Sequence, residues 1–113
     1  MLFRSPDVLA RHARPVITDL LDQHGVTIPE IGGWAVHPGG RRIVEVVAAE
    51  LDLPETAVSA SYDVLRDVGN CSSATVLLVL DRVRKGLAAG DPAVAMAFGP
   101  GLTLYAALLR AGD

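Results

Sequence analysis

Cysteine is nearly absent from this chain of 113 residues: Cys71 stands alone. A single thiol excludes an internal disulfide and suits a reducing compartment. No apolar run reaches the roughly 18 residues that a membrane span needs, so no membrane contact is expected. Arg4 and Asp7 come early and deny the first residues a signal-peptide pattern, so a cytoplasmic location is expected. A basic excess is also lacking. The net charge is −3, which argues against nucleic acid as a partner. Basic residues pair locally at Arg41-Arg42 and Arg82…Arg84-Lys85. The second cluster reads as a solvated helix end; the first follows two glycines and is a candidate anion contact. There is no internal repeat, no low-complexity segment and no evident domain boundary.

Apolar residues, by contrast, are abundant. Half the chain is hydrophobic and the mean hydropathy is +0.37. A domain of this size buries only roughly two-thirds of its extended-chain surface. Some of this apolar content would therefore lack cover in a monomer. Either the chain associates or it belongs to something larger.

Helical spacing of Val8, His12, Val16, Leu20 and Leu21 predicts a helix over 7–24, closed by Gly25 as a left-handed cap. The short apolar run 31–36, flanked by glycine, predicts a buried strand. Pro38-Gly39-Gly40 reads as a turn. Ile43, Val44, Val47 and Leu51 predict a helix over 41–51, broken at Leu53-Pro54-Glu55. A short helix is expected over 62–68, stopping at Gly69. The run Thr75-Val-Leu-Leu-Val-Leu80 is β-branched, which favours a strand. Its flanks favour a helix, with Asn70, Ser72 and Ser73 as N-caps and Asp81–Lys85 continuing the pattern. A buried helix over 72–85 is the expectation. Residues 93–98 and 102–109 read as two strands joined by Gly99-Pro100-Gly101.

The chemistry concentrates in three short signals: Trp34-Ala-Val-His37-Pro-Gly-Gly40, Gly69-Asn70-Cys71-Ser72-Ser73 and Ala97-Phe98-Gly99-Pro100-Gly101. A histidine at a strand end can donate to a carbonyl or steady a thiolate, but a lone one is commonly structural. Asn70, alone, reads equally as a cap or turn residue. Together, an Asn amide at a helix start and a strand-end imidazole make a donor pair suited to an oxyanion or enolate.

With these three signals in this order and spacing, the chain resembles the C-terminal part of the chalcone synthase-like, type III polyketide synthases, which are thiolase-like condensing enzymes. The resemblance extends over nearly the whole of residues 1–113, as a partial C-terminal domain without the cysteine-bearing N-terminal half. It implies an α/β fold of thiolase type, incomplete, with a mixed sheet and covering helices. It also implies an acyltransferase chemistry. A Cys–His–Asn set takes an acyl group from an acyl-CoA, decarboxylates malonyl-CoA and condenses the enolate with the bound acyl group, repeatedly. The resemblance assigns His37 and Asn70 to that set. It places Ser72, Phe98, Gly99, Pro100 and Gly101 around the substrate cavity. The turn Gly39-Gly40, with Arg41 and Arg42 after it, falls near the coenzyme A arm. No metal or separate cofactor is implied; the full-length family is expected to form homodimers. Two departures stand out. Arg41 occupies a position commonly proline in the family, and Cys71, between Asn70 and Ser72, is not the family's nucleophile. Its expected role is a small apolar wall residue.

In the thiolase-type half-domain the earliest strands are central. On that ground this chain supplies one strand from one edge of the sheet and two from the other, separated by strands it lacks. Two alternatives are a ketoacyl synthase III-like enzyme serving an acyl carrier protein and a non-catalytic chain, which complements a cysteine-bearing half or is a remnant. The uncovered apolar surface predicts that the isolated chain associates. Size-exclusion chromatography with light scattering checks this: association is expected, and a monodisperse, cooperatively melting monomer contradicts it.

Overall fold

The computed structural model describes residues 12–37, 41–67, 74–99 and 103–111. Helix α1 is Ala13–Asp22. Its buried face is Ala13, Ile17 and Leu21, spaced by four. Gly25 closes it at φ +67°. The amide of Val26 donates to the Leu21 carbonyl at 3.0 Å and that of Gly25 to Asp22 at 3.2 Å. That pair of bonds is a Schellman cap, as the sequence predicts. Residues 7–11 of the expected helix lie outside the described residues.

Strand β1, Gly33–Val36, is buried at all four positions. Helix α2, Arg41–Glu50, follows and buries Val44, Val47 and Ala48. It ends one turn earlier than Pro54 requires. Asp52 adopts φ 55°, and the Leu53 amide donates to Ala48 at 2.8 Å. Asp52 thus does what a glycine usually does, and its carboxylate meets the Arg14 guanidinium at 2.7 Å. The same arginine donates to the Glu50 carbonyl at 2.7 Å, tying α1 to the end of α2.

Residues Glu55–Val58 form a 3-10 turn that runs into helix α3, Ser59–Asp67. The helix therefore begins earlier than the expected 62. Helix α4, Ala74–Arg84, settles the ambiguous run as helical. This corrects the expectation of a buried helix, because the sheet covers one side of it only. Thr75 and Val79 face inward, while Leu77 is 65% and Leu78 42% exposed.

Strands β2, Pro92–Gly99, and β3, Thr103–Arg110, form an antiparallel hairpin whose ladder runs from Pro92↔Arg110 to Gly99↔Thr103. Residues 100–102, the expected turn, lie outside the described residues. β1 pairs parallel with β2 in the register Gly33↔Ala93 to Val36↔Met96. The sheet order is β1-β2-β3. This corrects one expectation: no gap separates β1 from the hairpin. Direct pairing gives partners to backbone groups that a gap would have left open. The mixed sheet and covering helices are as expected.

Alternate residues of the sheet face opposite ways. Trp34, Val36, Val94 and Met96 pack with Ile17, Leu21, Val44 and Val47 on one face. Ala35 and Ala95 pack with Val64, Val79 and Val83 on the other. Each fully buried Val, Leu or Ile contributes roughly 1.5–3 kcal/mol.

The second face leaves no room at Gly33. A Cβ there would overlap Val83 Cγ1, with Leu87 Cδ2 at 3.3 Å. Valine in a helix is confined at χ1 and yields poorly. Gly33→Ala is therefore expected to destabilise the chain by about 1–3 kcal/mol. A thermal melt checks this, with an unchanged midpoint as the contrary result.

Candidate functional site

His37 follows β1 directly. Its amide donates to the Met96 carbonyl at 2.8 Å, so the backbone of the histidine is still part of the parallel ladder. The residue is 8% exposed. Its Nδ1 is buried and finds no hydrogen-bond partner among the described residues. Burial holds its pKa below the usual histidine value, favouring the neutral ring. A buried polar atom without a partner among the described residues is uncommon, which makes strand-end His37 the candidate site residue.

The neighbouring residue is fixed from the other side. Ser61 of α3, fully buried, donates to the Val36 carbonyl at 2.7 Å. Its Oγ also accepts from the Val36 amide at 3.3 Å. Sequence reading passed over Ser61. The signal was there: Val58, Ser61 and Val64 recur every third residue, and all three are buried. A hydroxyl in an apolar helix stripe needs a buried partner.

β2 runs parallel to β1, so Phe98 and Gly99 at its end lie at the same end of the sheet as His37. α4 runs the opposite way to β1, since Val83 meets Gly33 and Val79 packs with Ala35. From Val83 back to Ala74 the helix rises about 13 Å. From Gly33 to His37 the strand advances about the same. The first residue of α4 thus comes level with His37. Gly39, Gly40, Asn70, Ser72, Pro100 and Gly101 lie outside the described residues.

Arg41 opens α2 with its side chain exposed. It pairs with Glu45 at 3.1 Å and Glu55 at 3.6 Å, and its guanidinium lies 4.7 Å from the Tyr62 ring centroid. Its charge is thus answered locally. Arg42 is also exposed. The principal clefts among the described residues are not lined by His37. One of them, about 500 Å³, is bordered by Ile28, Trp34, Leu51 and Pro54. The candidate site is therefore distinguished by the buried Nδ1 of His37 rather than by cleft volume. Among the described residues no cluster of three or more His, Cys, Asp or Glu could hold a metal. No helix among them is long and apolar enough to cross a membrane.

Residues 3–112 match the family described as chalcone and stilbene synthases, C-terminal domain. The chain belongs to that family. It is 39% identical over 107 residues to the 1,3,6,8-tetrahydroxynaphthalene synthase of Streptomyces peucetius subsp. caesius, covering 93% of this chain and 28% of that protein. It is 41% identical over 127 residues to the bisdemethoxycurcumin synthase of Oryza sativa subsp. japonica, covering 96% and 32%. Among solved structures, PKS-I from the brown alga Ectocarpus siliculosus superposes with a TM-score of 0.84 at 32% identity, covering 94% of this chain and 30% of that one. The chain thus corresponds to a C-terminal part of type III polyketide synthases and spans about 30% of their length. The thiolase-like fold follows from the same superposition. The family match also displaces the ketoacyl synthase III alternative.

Neutral His37 has a measurable consequence. Its folded pKa lies below the unfolded value of about 6.5. The unfolded chain therefore binds the proton more readily. The stability that depends on neutral His37 is present above about pH 6.5 and is lost as pH falls through the lower folded value. Melting midpoints should drop between about pH 7 and about pH 5, and His37→Gln should flatten that slope. An equal slope in the variant removes His37 as its cause.

Proposed function

We propose that this chain supplies the histidine and asparagine of a Cys–His–Asn centre that condenses malonyl-CoA with an acyl-CoA starter, as a type III polyketide synthase. The observation that carries this is His37: a buried imidazole, held toward its neutral form, whose Nδ1 has no partner among the described residues, at the carboxyl end of a parallel strand. The names of the relatives, synthases of polyketide products, support the reaction class.

The reaction divides as follows. The cysteine thiolate, carried outside this chain, attacks the starter thioester carbonyl, and the coenzyme A thiolate leaves. Malonyl-CoA then loses carbon dioxide, and the electron pair of the broken C–C bond becomes an enolate. The enolate carbon attacks the bound acyl group and releases the cysteine thiolate. His37 and Asn70 donate to the malonyl thioester oxygen, where charge collects in the enolate. A neutral imidazole suits this, because it stabilises the oxygen by hydrogen bonding without fully giving up a proton. Asn70 stands four residues ahead of Ala74, whose helix start is level with His37. The amino end of that helix favours developing negative charge close to it. Ser72 and Phe98–Gly101 shape the cavity in this reading. Gly39 and Gly40 let the backbone approach the pantetheine arm, and Arg41 and Arg42 flank that turn.

A second reading has a specific observation behind it. Leu77 and Leu78 on α4, and Tyr105 and Leu109 on β3, are large and exposed. These faces suit cover by further protein, as in a chain that complements a cysteine-bearing half. The two readings share one test. The 113-residue chain is co-expressed with the cysteine-bearing half of a relative, and malonyl-CoA decarboxylation is followed. His37→Ala and Asn70→Ala should each lower the rate by about 100- to 1000-fold with the fold intact. Unchanged decarboxylation in both would remove them from the mechanism. The chain alone is expected to be inactive, and turnover by it contradicts the assignment of the nucleophile elsewhere.

A further inference from the structure

Beyond the His–Asn pair, we infer that Ser61 is a positioning residue that holds the catalytic end of β1 and so aims His37. Among the described residues, β1 has a neighbouring strand on one side only, β2. In the parallel ladder the amide of His37 points to β2. Successive residues alternate, so the amide and carbonyl of Val36 point the opposite way. There a strand edge would leave both groups open. One hydroxyl takes both: Ser61 Oγ accepts from the Val36 amide at 3.3 Å and donates to the Val36 carbonyl at 2.7 Å. It stands in for a single rung of a neighbouring strand, supplied from a helix.

The consequence for the site is geometric. His37 is gripped on one side through its own amide by Met96 and on the other through Val36 by Ser61. Between them the two bonds fix the backbone from which the imidazole projects. Nδ1 has no partner among the described residues to orient the ring, so its aim leans on the backbone. Ser61 is fully buried and reaches no substrate; it acts through the strand. A serine that merely filled space in the α3 stripe would be replaceable by alanine without effect on Val36.

This inference rests on the reading of His37 as a donor, but its test involves no turnover, so either can fail alone. Hydrogen exchange of the full 113-residue chain, resolved to single amides by mass spectrometry, tolerates association. In the unaltered chain the Val36 amide should be protected although it faces away from β2. A Val36 amide that exchanges as fast as an exposed one overturns the inference without any variant. Ser61→Ala should raise Val36 exchange by about tenfold, while His37, bonded to Met96, stays within about twofold. Exchange of the His37 ring C2 proton should rise with it, since the ring loses its fixed, buried setting. Ser61→Thr, which keeps the hydroxyl, should restore protection and ring exchange together. Equal Val36 exchange in the alanine variant, or a folded threonine variant that matches alanine, overturns the proposal.

Discussion

The structure depends on burying one four-residue strand on both of its faces. β1 carries no side chain that can face water. Trp34 and Val36 enter the larger cluster with α1 and α2, and Ala35 enters the smaller one with α4. Gly33 lets α4 come so close that no methyl would fit. A strand so placed cannot slip by one residue, because every side chain would then meet the wrong layer. Register with β2 is fixed by the same constraint, and the whole site inherits that register.

Double-sided burial explains the behaviour of His37. The helices that cover Ala35 and Val36 also keep water from the residue that follows. Desolvation then favours the neutral ring, and Nδ1 is left without a partner among the described residues. Such a nitrogen costs stability in the resting protein. Strain and unsatisfied groups of this kind collect at functional positions, where local rules are broken for a purpose. The lowered pKa and the orphaned atom have one cause, which is why they appear on the same residue.

Some of this was legible in the residues and some was not. Gly25 announced its cap, and Val44, Val47 and Leu51 announced α2, because periodicity and φ > 0 act locally. The end of α2 was less legible, since Asp52 takes a glycine's conformation with help from Arg14, 38 residues away. The run 75–80 divided strand propensity from helix flanks. The flanks gave the answer, but Leu77 and Leu78 stay exposed, so the helix is covered on one side. The pairing of β1 with β2 was misjudged because strand adjacency is set by tertiary packing over some 60 residues of intervening chain. Ser61 escaped notice for the same reason: its partner, Val36, lies 25 residues earlier. Asn70, Ser72 and the Gly-Pro-Gly segment rest on the sequence alone.

The two sides of α4 divide the site's demands between them. Inward, Val79 and Val83 press on Ala35 and Gly33 and set the depth of β1. Outward, Leu77 and Leu78 are open. A helix with one face committed to the strand that bears the histidine, and the other apolar and uncovered, couples whatever covers it to the geometry of His37. On the proposed reading that cover carries the cysteine. The imidazole is already desolvated in this chain, so its neutral state does not wait on that cover.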